Sequence, residues 1–213
     1  MPFEAIVPRR ASRSQQPTGS AARVTGVTRP RPPQTLESRP LVGPVSAEIE
    51  MDVPRQRAFA TIADLALRPS FSDHFLHGFH LTRIQSHGVG AGARFQVVMP
   101  PRSVWEDTTI VELEEPHLVV ERGRGGRGNR IPSHTVWEVL EGAGSLIRVR
   151  VSHWTEPSHP IDRTLEALSG AAMRQERAWG EALRRLRDLL ESGGPGPRPI
   201  AVAGGNPHAT GIP

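Results

Sequence analysis

Between residues 45 and 154 the chain repeatedly alternates apolar and polar positions with the period of a β-strand. The first run is the strictest. Val45, Ala47, Ile49, Met51 and Val53 fall on one side and Ser46, Glu48, Glu50 and Asp52 on the other, as in a strand with one buried face. Pro54 closes it and suits the first turn of a helix, and Ala58, Phe59, Ile62, Ala63 and Leu65 give the following helix an apolar side. A second short helix is predicted over Pro69 to His77, stopped by Gly78. Six more alternating runs follow: Phe79–Ile84, Arg94–Met99, Trp105–Leu113, Leu118–Arg122, His134–Leu140 and Leu146–Trp154. Turn-rich links at 114–117 and 141–145 are short, so neighbouring strands are expected to pair as antiparallel hairpins in a meander.

The period then changes. Ile161, Leu165, Leu168, Ala172, Trp179, Leu183, Leu186 and Leu190 recur at spacings that place them in one stripe, with Gln175 interrupting it. A helix of about thirty residues carries such a stripe over roughly 45 Å. The predicted class is therefore α+β: a seven-stranded curved antiparallel sheet, two short helices, and a long C-terminal helix packed over the sheet. One helix does not fill the concavity of seven strands, so an internal cavity is expected between them.

The flanks read differently. Residues 1–44 are rich in Pro, Ser and Arg without periodicity, as in a disordered leader, and residues 193–213 form a Gly/Pro-rich tail. The domain is placed at 45–192. The chain's formal charge of +4 lies mostly in the leader, which holds seven Arg against Glu4 and Glu37, so the domain itself is slightly acidic. No apolar run is long enough to cross a membrane and the first thirty residues lack a signal-peptide core, which makes the cytoplasm the expected compartment. No oligomeric state is legible.

The chain contains no Cys, Lys or Tyr. Thiolate chemistry, disulfides, Schiff bases, a P-loop lysine and a tyrosine acid are all excluded. Any chemistry falls to His, Asp, Glu, Ser, Thr, Arg and backbone groups, and no motif asks for a cofactor.

The order strand, two short helices, six strands, long helix resembles the helix-grip superfamily, also called SRPBCC or START-like, and within it the polyketide cyclase-dehydrase-like branch. The likeness is carried by Val53-Pro-Arg-Gln-Arg-Ala-Phe59, Gly88-Val-Gly-Ala-Gly92, Thr135-Val-Trp-Glu-Val139 and the Arg-rich amphipathic end, and it spans about residues 45 to 192. It implies an enclosed apolar cavity. It transfers no catalytic set, because cavity residues differ among members.

Three local motifs compete for attention. Gly88–Ala93 and Gly123–Gly128 fit the spacing of a dinucleotide loop, but strands follow them where a helix N-terminus is needed, so both read as hairpin loops. The run Arg122-Gly-Arg-Gly-Gly-Arg127 with Arg130 looks like an RNA-binding box, yet no aromatic residue is interleaved, so no nucleic acid is expected and the run reads as a loop at the cavity mouth. His74, His77 and His80 beside Asp73 have metal-like spacing, but Gly78 separates them, and no metal is expected.

The candidate site comes from strand register. The hairpin at 141–145 groups Thr135, Trp137 and Val139 with Val149, Val151 and His153, and that at 114–117 groups Trp105, Asp107, Thr109 and Val111 with Val120 and Arg122. Trp105, Asp107, Thr109, Val111, Val120, Arg122, Trp137, Val149, Val151 and His153, with Leu168, Ala172, Gln175 and Trp179 from the helix, are expected to line the pocket. The leading reading is binding or carriage of a small hydrophobic molecule: a lipid, an isoprenoid or a polyketide. The alternative is a cofactor-free cyclase or dehydratase in which His153 and Asp107 form an acid–base pair. A third reading is an interaction module, docked through Arg174, Arg177, Arg184, Arg185 and Arg187; the same arginines also suit a solvated face with pairs such as Glu181 to Arg185.

Overall fold

The computed structural model describes residues 42–100, 102–157, 164 and 171–192. Seven strands, β1 (Val42–Met51), β2 (Leu76–Leu81), β3 (Gly92–Met99), β4 (Arg102–Glu114), β5 (Leu118–Gly125), β6 (Ile131–Glu141) and β7 (Ile147–Thr155), form one antiparallel sheet in the order β1-β7-β6-β5-β4-β3-β2. The meander is as expected, with β1 returning to pair with β7. Between β1 and β2 lie α1 (Arg55–Ala63), a single 3₁₀ turn (Leu65–Leu67) and α2 (Pro69–Ser72). The C-terminal helix α3 is described over Ala171–Glu191; Ile161, Leu165 and Leu168 lie outside the described residues.

β1 begins three residues ahead of its alternation. A bulge between Val42 and Val45 accommodates Pro44, which an edge strand tolerates because one of its sides has no ladder to feed. The second helix, by contrast, is one turn rather than two. Asp73 ends it, the chain turns, and Leu76 already pairs with Val97 of β3, so pairing with a neighbouring strand overrides the helical spacing of 69–77. Gly78, with φ of 58°, sits in the β2 bulge rather than at a helix end, and the strand stops at Leu81, leaving Ile84 in solvent.

The core is the inner face of the sheet closed by the helices. Met51, Trp137, Val139, Val149 and Val151 meet Phe59, Ile62, Leu65 and Phe71 from the β1–β2 connection and Trp179, Ala182, Leu183, Leu186 and Leu190 from α3. The predicted stripe therefore holds from Trp179 to Leu190, while Ala172 is exposed. Polar ties fix it in place: Glu191 accepts from the Asp52 N–H at 2.8 Å, Arg185 pairs with Asp73 at 2.9 Å, and His74 Nε2 lies 3.0 Å from the Ala178 carbonyl. Glu181 bridges both Arg184 and Arg185, the i,i+4 pair expected of a solvated face. Among the described residues no helix is long and apolar enough to cross a membrane.

The faces of β6 and β7 are as the sequence predicts, whereas those of β4 and β5 are reversed. Glu106, Thr108 and Ile110 point inward on β4, and Val119 and Glu121 on β5; Trp105, Asp107, Thr109, Val111, Val120 and Arg122 belong to the outer face. Two register effects are the cause: the hairpin sets Leu113 opposite Val119, which turns Leu118, Val120 and Arg122 away from its face, and a bulge between Ile110 and Glu112 shifts β4. One extra residue shifts the alternation, so counting back from Leu113 through the bulge assigns every earlier side chain to the wrong side.

Candidate functional site

The inner face carries a row of neighbours that crosses four strands: Ile110, Glu121, Thr135 and His153. Beside it runs Thr108, Gly123, Ser133 and Thr155, and beyond that Glu106 opposite Phe95. Polar side chains thus interrupt the apolar interior at the end of the sheet remote from the β6–β7 turn. Each finds a partner. The Glu121 carboxylate accepts from Arg68 at 2.7 Å, from the Trp137 indole at 3.0 Å and from Thr108 at 3.2 Å. Arg68, at the start of α2, also donates to the Ile62 carbonyl at 3.2 Å and lies 4.6 Å from the Trp137 ring centroid. Both charges are 3% exposed, and a pair so placed is held by its hydrogen bonds as much as by Coulomb attraction.

Glu106 accepts from Ser133 at 2.5 Å. Gly123 makes this possible, because a Cβ there would strike Ser133 Oγ and come within 2.6 Å of the Asp107 carbonyl. His153 Nδ1 lies 2.9 Å from Thr135 Oγ1, and burial, reinforced by the neighbouring charge on His134, pushes its pKa down to about 4. The imidazole is therefore neutral at pH 7. On the other side of the sheet His134 stacks on Trp154 and contacts Glu156 at 2.8 Å; burial also lowers its pKa, against the pull of that carboxylate.

Arg68, Phe75, Leu76, Phe95, Val97, Glu106, Glu121, Thr135, His153, Gln175 and Trp179 enclose a cavity of about 10 Å³. That is room for about one water molecule. Two of its donors, Arg68 Nε and Trp179 Nε1, are buried without a hydrogen-bond partner among the described residues. The lining mixes charge and apolar surface, whereas the sequence leads to an apolar pocket.

No protein-family model and no curated protein matches the sequence. Solved structures match in shape. The solution structure of the KanY protein aligns over 70% of this chain and 99% of its own, at a TM-score of 0.57 and 18% identity. Ginseng major latex-like protein 151 from Panax ginseng covers 70% and 97% at 0.53 and 11%. A START superfamily protein from Mycobacterium smegmatis covers 71% and 97% at 0.50 and 12%. The fold is START-like.

Within this START-like fold the sequence-derived candidates separate. Trp137, Val149 and Val151 are core wall, and His153, Gln175 and Trp179 line the small cavity. Trp105, Asp107, Thr109, Val111, Val120 and Arg122 lie on the far side of the sheet; Asp107 pairs there with Arg94 at 3.6 Å and accepts from Asn129. His153 and Asp107 thus face opposite sides and share no reacting point, which removes the acid–base pair. Ala172 is exposed on α3, and Leu168 lies outside the described residues. His74, His77 and His80 diverge: the first faces α3, the second is exposed, and the third packs against Trp105.

Arg68, Glu106, Thr108, Glu121 and Ser133 escape the sequence reading altogether. Their signal was present as complementary charge. A carboxylate on each of two paired strands, with Arg68 ahead of them, is the composition of a buried network, but a charged residue in an alternating run reads first as the solvent side.

Proposed function

We propose that this protein binds or carries a small, largely apolar molecule bearing a hydrogen-bond acceptor, of the lipid, isoprenoid or polyketide kind. The apolar body lies against Phe75, Leu76, Phe95 and Val97, and the acceptor meets Arg68 Nε and Trp179 Nε1. The observation that carries the reading is that pair of unpartnered donors at the wall of an internal cavity. A buried donor left unpaired costs about 1 to 3 kcal/mol, and a ligand oxygen recovers that cost. The START-like fold supports it by setting α3 over the concave side of a curved sheet.

At about 10 Å³ the cavity has room for about one water molecule. Admission of a ligand therefore moves Gln175 and Trp179 away from the sheet, as in sites that open only when occupied. A neutral His153 suits an uncharged or hydrogen-bonding group more than a free anion.

The test is native mass spectrometry of protein purified gently from its own host, compared with the same sample denatured. A stoichiometric small-molecule adduct is expected, absent from Gln175→Trp, which fills the space beside Trp179. An empty parent, together with no change in melting temperature on addition of medium-chain fatty alcohols, overturns the proposal.

A further inference from the structure

The outer face of the sheet divides into two halves of unlike charge. Over β1, β6 and β7 its charges cancel in pairs: Arg148 with Glu50 at 2.9 Å, and Arg150 with Glu48 at 2.9 Å and Glu138 at 3.8 Å. Over β3, β4 and β5 they do not. Register places Arg94, Asp107 and Arg124 side by side, with Thr109, Arg122 and His134 in the next row and Trp154 beyond His134. Arg94 takes the Asp107 carboxylate, while Arg122 and Arg124 are exposed and have no ion-pair partner among the described residues.

Aromatic surface adjoins these charges. Trp105 stands two residues from Asp107 on the same face, 42% exposed, with the Arg94 guanidinium 5.4 Å from its ring centroid. Gly78 lies beneath the indole; a Cβ there would come within 3.3 Å of it. Trp105 also lines an open groove of about 870 Å³, with Arg94, Arg102, Ser103, Val104 and the glycine-rich β5–β6 loop at Gly126, Gly128 and Asn129. From Arg94 on β3 to Trp154 on β7 the face spans four strand spacings, roughly 19 Å.

We infer that this face binds single-stranded nucleic acid. Arg122 and Arg124 follow one another along β5 and Arg94 stands two strands away on β3, so the cations are spread over the face rather than converging on one point, which fits a chain of phosphates better than a single anion. The exposed indole at one end offers a stacking surface for a base, and guanidinium planes offer more. The sequence argues against nucleic acid because the run Arg122–Arg127 contains no aromatic residue. Folding supplies one from β4: the strand pairing that sets Arg124 opposite Asp107 brings Trp105 alongside. An acidic protein segment satisfies the arginines but makes no use of the indole.

The experiment is fluorescence anisotropy of labelled oligo(dT), roughly ten nucleotides long, against the full chain. The arginine-rich leader is present in every variant, so its contribution cancels. Trp105→Ala is expected to weaken binding about tenfold and Trp105→Phe to retain most of it. Arg122→Gln with Arg124→Gln lowers the slope of log affinity against log salt by roughly 1.4, the share of two phosphate contacts on a single strand. All these positions are exposed, and unchanged circular dichroism melts confirm folding. If all variants bind as the parent does, the leader alone holds the oligonucleotide and the proposal fails. It fails equally if polyglutamate binds as tightly as oligo(dT) and is indifferent to Trp105→Ala, since the face is then a dock for acidic protein.

Discussion

Arg68 and Glu121 show how a buried charge is made tolerable. Neither side chain is more than 3% exposed, and each meets several groups: the Ile62 carbonyl and the Trp137 ring face for the cation, whose Nε has no hydrogen-bond partner among the described residues, and the Trp137 indole and Thr108 hydroxyl for the anion. Removing one partner strands the other in a medium that cannot solvate it. Glu121→Leu is therefore expected to cost about 3 to 5 kcal/mol in chemical denaturation, whereas Arg68→Met combined with Glu121→Leu recovers most of that loss. Additive losses in the double variant would mean that the two residues act independently. If the pair is also the frame of the ligand site, the double variant keeps its stability and loses the adduct seen by native mass spectrometry.

At the scale of elements, β4 and β5 determine which chemistry reaches the interior. The β4 bulge turns Glu106 and Thr108 inward, and Gly123 on β5 leaves the room in which Glu106 meets Ser133. Gly123 is in an ordinary strand, so its requirement is space rather than backbone freedom. Gly123→Ala is expected to destabilise by about 1 to 3 kcal/mol through overpacking against Ser133 and the Asp107 carbonyl, measured as a lowered urea midpoint with unchanged slope. Ser133→Ala made in the same chain should relieve part of that cost. The described helix α3 contributes differently: its apolar side closes the core while Glu181, Arg184 and Arg185 pair among themselves on the solvent side.

For the molecule as a whole, the buried histidine links folding to pH. His153 has a folded pKa of about 4 against 6.5 in an ordinary setting, so between those values the unfolded chain binds a proton that the folded chain refuses. The stability tied to this residue is complete above pH 6.5 and is lost as pH falls toward 4, a difference of about 3 kcal/mol. His74 and His134, both shifted downward by burial, act in the same direction. Thermal melts from pH 7 to pH 4 should show this loss, and His153→Gln should flatten it. An unchanged acid limb in that variant would place the sensitivity elsewhere.

The sequence by itself determined the element order, the sheet's antiparallel meander, the inward faces of β1, β6 and β7, and the apolar stripe of α3. Each depends on a local period that survives any packing arrangement: two residues in a strand, 3.6 in a helix. The length of α2 and the start of β2 were not local, because pairing of Leu76 with Val97 decided them. Nor was the polar lining of the cavity. One inserted residue at the β4 bulge exchanges the two faces of a strand, and only the ladder to β5 reveals where that residue sits. That reversal moved Asp107 and Trp105 outward and brought Glu106 in, while the pairing of Leu113 with Val119 turned Glu121 inward. Chemistry at both surfaces of this sheet was therefore set by tertiary pairing, which the alternation of residues along one strand does not encode.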